Sequence, residues 1–216
     1  MTTLAQLMQM AESRKHLTCT AKGCKRSRQG ISPFCPTHNT RLHRYGHIDG
    51  KAIRKDEYKD ERQEVEAFFV QHRGHPAISA ACRFIHEWQQ EAGRQEAKMG
   101  QNILVRLHHR CITPQDILVE IMAVWLYSSR NPVHLPDDRR LSYAIAWAMN
   151  RLAGHERTTT KTGRRSHRVP PQGELLETGE RVRGALARLF LNMTFAINAK
   201  AEKAKADREA LSQPFV

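Results

Sequence analysis

Long apolar runs are missing from this sequence of 216 residues. A helix that crosses a bilayer needs roughly 18 to 20 consecutive apolar residues. The longest candidate, Ile117 to Tyr127, is much shorter and contains Glu120, so a soluble protein with no membrane partner is expected. Aromatic residues are few, 6% against 40% apolar in total, and the core should therefore be aliphatic. Cysteine is sparse, five in the chain, and three of the five fall within seventeen positions. Disulfides would leave one of those three unpaired, and no apolar leader precedes them. The expected compartment is one that keeps thiols reduced, the cytoplasm. Walker-type glycine loops and nucleophile motifs are lacking too. The carboxylates of Glu120, Asp137 and Asp138 are accounted for by helix surfaces and first turns, and the chain reads as noncatalytic.

The scarce cysteines are not scattered. Cys19, Cys24, Cys35 and His38 read C-x4-C, ten residues, then C-x2-H, with Gly30, Ser32 and Pro33 in the polar loop between the pairs. Zinc favours four such soft or borderline ligands in a tetrahedron. Between Thr18 and Asn39, apart from cysteine, alanine and proline, the apolar residues are Ile31 and Phe34. Those two cannot offset the entropy of ordering the loop, whereas a structural zinc supplies on the order of 10 kcal/mol or more. One structural Zn2+ is expected, the alternatives being unliganded thiols or a redox site.

Acidic residues are almost absent around this cluster. From Arg14 to Lys55 there are eleven lysines and arginines against Asp49 alone, which is ten of the chain's thirteen net positive charges. Such a density suits a phosphate backbone, which releases counterions on binding; a solvated, solubilising surface is the plainer alternative. DNA is the expected partner and RNA the alternative, with Lys22, Lys25, Arg26, Arg28, Arg41 and Arg44 as contacts. A helix beginning near Pro36 would place Arg41 and Arg44 three apart on one face, with Tyr45 beside them for packing or stacking.

The stretch Cys35-Pro-Thr-His38-Asn-Thr-Arg41-Leu42-His43-Arg44-Tyr45-Gly46 resembles the end of the small zinc cluster of phage HNH-type homing endonucleases and related mobile-element DNA-binding proteins. There the pattern is C-x4-C, a loop of about ten residues, C-x2-H, then R-x-x-R with an aromatic and a glycine. The likeness covers positions 19 to 46, about an eighth of the chain. It implies Cys19, Cys24, Cys35 and His38 as ligands and Arg41 and Arg44 as backbone contacts. The ββα nuclease site of that family is not found after Gly46, where the sequence reads as helix. The resemblance therefore carries over a binding element, and an HNH-type endonuclease is the third of three readings.

Elsewhere the periodicity is helical. Leu4 to Ser13 places Leu4, Leu7, Met8 and Ala11 on one face. Glu61 to His72 carries Val65, Phe68 and Phe69, and a helix opened by Pro76 carries Ile78, Cys82, Ile85 and Trp88. Thr113, Pro114 and Asp116 form an N-terminal signal for a largely buried helix to Ser128. Asp137 to Leu152 follows, closed by Gly154. From Arg151 to Arg168 six positive residues oppose Glu156. The segment around Lys161, Arg164, Arg165 and Arg168 reads as a short ribbon or wing reaching a groove or backbone, or as a mobile loop. Glu180 to Asn198 is amphipathic, and helix propensity without an apolar face continues to Leu211. Cys82 with His86, and His108 and His109 with Cys111, read as ordinary core and surface residues rather than a second metal site.

The expected fold is mainly α: a small N-terminal zinc-binding module on a helical bundle, with a short β-ribbon near 157–168. Its parts would be a basic zinc module at 1–55, a helical body at 56–154, a basic loop or wing at 155–173 and a C-terminal helix and tail at 174–216. Two functional classes lead. One is a zinc-stabilised DNA-binding protein of phage or plasmid type that acts alone. The other is a subunit of a nucleoprotein complex. In size, charge and N-terminal metal cluster the chain resembles the zinc-bearing, large-subunit-like protein of type IV CRISPR complexes, which implies recognition of a short DNA motif beside an RNA-guided target.

Overall fold

The computed structural model describes residues 3–14, 17–94, 103–154, 157–159, 165–167 and 170–212. The chain divides into two compact units, Met1–Ala52 and Ile53–Val216, and its architecture is mainly helical, with a Cys/His cluster near the N-terminus.

The first unit holds helix α1 (Leu4–Arg14) and helix α2 (Pro36–Tyr45). The apolar face expected on α1 forms but is not covered: Leu4 is 74% and Met8 63% exposed. Between the helices the chain is held by hydrogen-bonded turns and an isolated bridge between Thr18 and Ser27. Among the described residues the buried apolar ones of this unit are Cys19, Ala21 and Cys35, with Cys24, Phe34 and Ile48 packed beside them. Gly46, the C-cap of α2, returns its amide to Leu42 O at 3.0 Å.

The second unit contains α3 (Lys59–Gln71), α4 (Pro76–Gly93), α5 (Ile103–His109), α6 (Pro114–Arg130), α7 (Asp138–Ala153), the strands β1 (Arg157–Thr159) and β2 (Arg165–His167), and α8 (Gln172–Ser212). Helix α6 is its axis. Every residue from Ile117 to Tyr127 is buried, because α3, α4, α7 and α8 all pack on it, as an all-round apolar helix requires. The core is aliphatic, with Tyr58, Tyr143 and Phe190 its largest fully buried aromatics.

The helix starts are those the sequence signals. Thr113 Oγ1 accepts from Asp116 N at 3.1 Å, and Asp137 Oδ1 from Arg140 N at 2.8 Å. Pro36, Pro76 and Pro114 each open a helix, where a missing amide costs nothing. Helix α8 is longer than the periodicity suggests, 41 residues without interruption. It packs on α7, and at Gly179 the approach is close: a Cβ there would stand 1.9 Å from Ser142 O. A backbone carbonyl cannot swing aside, so only glycine lets the two helices meet there.

Glu120 departs from its expected place on a helix surface: it is 1% exposed. Tyr58 donates its hydroxyl to Glu120 Oε1, Arg62 Nε donates to Oε2 at 3.1 Å, and Arg151 donates to Tyr58 Oη at 2.8 Å and to Ile53 O at 3.2 Å. Burial, and then the Glu120 carboxylate, push the Tyr58 phenol well above its ordinary range, so it remains a donor. Arg130 grips both carboxylate oxygens of Glu64 at 2.8 Å and Asn198 Oδ1 at 2.9 Å, joining α3, α6 and α8. The two strands pair antiparallel, with Thr158 opposite Ser166, which is the short ribbon expected near 157–168.

Candidate metal centre

Two turns of chain and one helix end bring the ligand pairs together. Cys24 N donates to Ala21 O at 3.0 Å, closing the turn that carries Cys19 and Cys24. Thr20 N reaches Pro33 O at 3.1 Å, and Gln29 N reaches Phe34 O at 3.0 Å, folding the intervening loop back on that turn. Cys35 is the N-cap of α2, Pro36 fills its first position, and His38 follows within the first turn. Ser32 Oγ accepts from Phe34 N at 3.2 Å and bonds Asn39 Oδ1 at 3.1 Å, fixing the approach to the helix.

The four candidate ligand atoms all lie within 4.8 Å of one another. Cys24 and Cys35 sulfurs are 3.9 Å apart, and His38 Nδ1 is 3.3 Å from Cys19 Sγ and 3.4 Å from Cys35 Sγ. With zinc bond lengths of about 2.3 Å to sulfur and about 2.05 Å to nitrogen, a tetrahedron has edges of roughly 3.8 Å (S–S) and roughly 3.6 Å (S–N). These three edges match within a few tenths of an ångström, and the other pairs lie within 4.8 Å. A disulfide, at about 2.05 Å, does not fit, and the cysteines are thiols. Cys19 and Cys35 are buried, while Cys24 and His38 are half-buried, leaving one side of the group open to solvent.

The electrostatics suit a cation. The His38 amide, at the positive end of α2, holds Cys35 below the ordinary thiol value. At Cys24 the Arg26 amide favours the thiolate, but burial and the sulfurs of Cys19 and Cys35 outweigh it and hold this thiol above its ordinary value. Crowded sulfurs that resist ionising together are relieved by a divalent ion. This Cys3His group can hold a metal ion such as zinc. Among the described residues no other group of three or more potential ligands converges, and Cys82 lies against the core, its thiol pushed up by burial.

The basic residues predicted as contacts fall into distinct groups. Lys22 and Lys25 are exposed on the C-x4-C turn, Arg44 is exposed on α2 and Arg41 is half-exposed there. Among the described residues no hydrogen bond or ion pair engages the side chains of Lys22, Lys25 or Arg41. Arg26 and Arg28 are committed within the unit: Arg26 donates to Thr37 Oγ1 at 2.6 Å and Arg28 Nε to Thr18 O at 2.8 Å. Arg26 is nonetheless exposed and Arg28 half-exposed. Arg165 opens β2 opposite Thr159, whereas Lys161, Arg164 and Arg168 lie outside the described residues.

Fold and site together define a class: a mainly helical protein with a Cys3His group suited to a metal such as zinc, in which no helix among the described residues is long and apolar enough to cross a membrane. No family model matches the chain, and neither the curated proteins nor the solved structures give a match.

Proposed function

We propose that this chain is a zinc-stabilised, noncatalytic nucleic-acid-binding protein whose metal-bearing unit presents Lys22, Lys25, Arg41 and Arg44 to a DNA backbone. One observation carries the reading: the convergent Cys3His group lies amid a run that holds ten of the chain's thirteen net positive charges. The metal would be held by Cys19, Cys24, Cys35 and His38 and would supply stiffness alone, since four protein ligands close the coordination sphere. A stiff unit loses little entropy when its cations meet phosphate. Lys22 and Lys25 stand on the C-x4-C turn and Arg41 on α2, so the metal would fix the spacing between two sources of charge.

The test is a binding titration of zinc-loaded protein with duplex DNA, run over a range of salt concentrations, with single-stranded DNA and duplex RNA as competitors. A steep fall in affinity with salt is expected. Replacing Lys22, Lys25 or Arg41 by alanine should each reduce the salt slope by about one. Wild-type and triple-alanine proteins with the same affinity and slope would overturn the reading, and stronger competition by RNA would move the partner from DNA to RNA.

A further inference from the structure

Arg26 follows ligand Cys24 by two residues and is bonded to both halves of the ligand set. Its carbonyl accepts from Cys19 N at 2.8 Å. Its guanidinium donates to Thr37 Oγ1 at 2.6 Å, and Thr37 stands between Cys35 and His38 in the first turn of α2. One residue thus touches the C-x4-C turn through its main chain and the C-x2-H helix through its side chain. Lys22 and Lys25, on the same turn, have no such bonds among the described residues.

We propose that Arg26 is a positioning residue of the metal centre, a brace that sets the C-x4-C turn against α2 so that the four ligands converge, rather than one of the phosphate-contacting cations. This rests on the Cys3His group holding a metal. The ligand pairs lie on separate segments, and without a brace the metal itself must bring them together against the entropy of the loop between them. A charge-assisted hydrogen bond as short as that from Arg26 to Thr37 is of the stronger kind. Partners outside the ligand shell that orient ligands typically account for roughly 10–100-fold in metal affinity.

Cobalt(II) titration of the full chain tests the role, read by thiolate charge-transfer and ligand-field bands and followed by zinc competition. Arg26→Ala and Thr37→Ala should each weaken cobalt binding roughly tenfold or more. The double variant should be no worse than the weaker single one, because both remove the same bond. Thr37→Ser keeps the oxygen and should bind as wild type does. Arg26→Lys keeps the charge but not the guanidinium fork and should be weakened like alanine. With zinc in excess, Arg26→Ala should retain the wild-type salt slope for DNA.

Equal cobalt affinity in wild type, Arg26→Ala and Arg26→Lys would overturn the brace, and so would a reduced DNA salt slope in Arg26→Ala whose cobalt spectrum is unchanged. If the wild-type chain itself bound no cobalt or zinc, the metal reading would fall and the brace with it, which is a different result from tight binding by all variants. Circular dichroism of the helical second unit confirms that each variant is folded.

Discussion

Glu120 and Arg62 show how the same ion pair carries unequal risk at its two ends. The carboxylate is 1% exposed, whereas the Arg62 side chain is 29% exposed and also reaches Glu66 at 2.9 Å. Take away the charge of Glu120 and the guanidinium turns to water or to Glu66. Take away Arg62 and a buried carboxylate is left with the Tyr58 hydroxyl alone. Breaking a buried pair by removing the compensating partner costs about 3–5 kcal/mol, while a hydrogen bond to a charged group is worth about 1.5–3 kcal/mol. Arg62→Met is therefore expected to destabilise by about 3 kcal/mol, and Glu120→Gln by about half as much. Urea denaturation at neutral pH measures both, and an Arg62→Met variant at least as stable as Glu120→Gln would refute this ordering. The same distinction limits what charge counting reveals. Glu120 reads as a surface residue until the structure shows Tyr58, 62 positions away, as its partner, and the bond from Arg26 to Thr37 spans 11 positions. Composition has no record of such pairings.

At the scale of elements, legibility follows how local the cause is. The starts of α6 and α7 are legible because cap and capped amide lie three residues apart, Thr113 to Asp116 and Asp137 to Arg140. The ligand spacing was legible for the same reason: C-x4-C and C-x2-H each lie on a single turn. Helix α5 was not, since its seven residues are too few to show a 3.6-residue period and four of them are buried. The first turns of α8, ahead of Glu180, are not legible because their packing depends on α7, where Gly179 meets Ser142. Gly154 is the C-cap of α7 that the sequence predicts, but its geometry asks for more. With φ 65° and ψ 169° it occupies a region that is essentially glycine's alone, and it also accepts from Arg106 at 2.5 Å through its carbonyl. Gly154→Ala should cost about 1–3 kcal/mol from backbone strain. The nearby Arg110 guanidinium, which a Cβ would meet, is a flexible end and can move. The loss should appear in urea denaturation and as faster amide exchange at the α7 C-terminus. An alanine variant as stable as wild type would show that the backbone relaxes without cost.

The two units of the molecule are stabilised by different means. Ile53–Val216 has a continuous aliphatic core centred on α6, and burial of that area suffices for a cooperative fold. The buried cluster of Met1–Ala52 amounts to Cys19, Ala21 and Cys35, and two of those three are ligand candidates. Its helix α2 has ten residues, none of them buried, and a helix of that length is marginal by itself in water. On the proposed reading, the free energy that orders this unit comes largely from metal coordination, on the order of 10 kcal/mol at neutral pH. Because ligand thiols must lose protons to bind, the affinity should fall as pH falls. A strong chelator at neutral pH is thus expected to unfold residues 17–50 while the second unit keeps its thermal midpoint. In an amide-resolved NMR spectrum, resonances of α2 and the C-x4-C turn should collapse to unfolded positions and return when zinc is added back, while those of α6 and α7 stay in place. Limited proteolysis should then cut within the first unit alone. Loss of both sets of resonances together would mean that the units fold as one cooperative body. Retention of both would mean that the hydrogen-bonded turns around Arg26 hold the first unit without a metal.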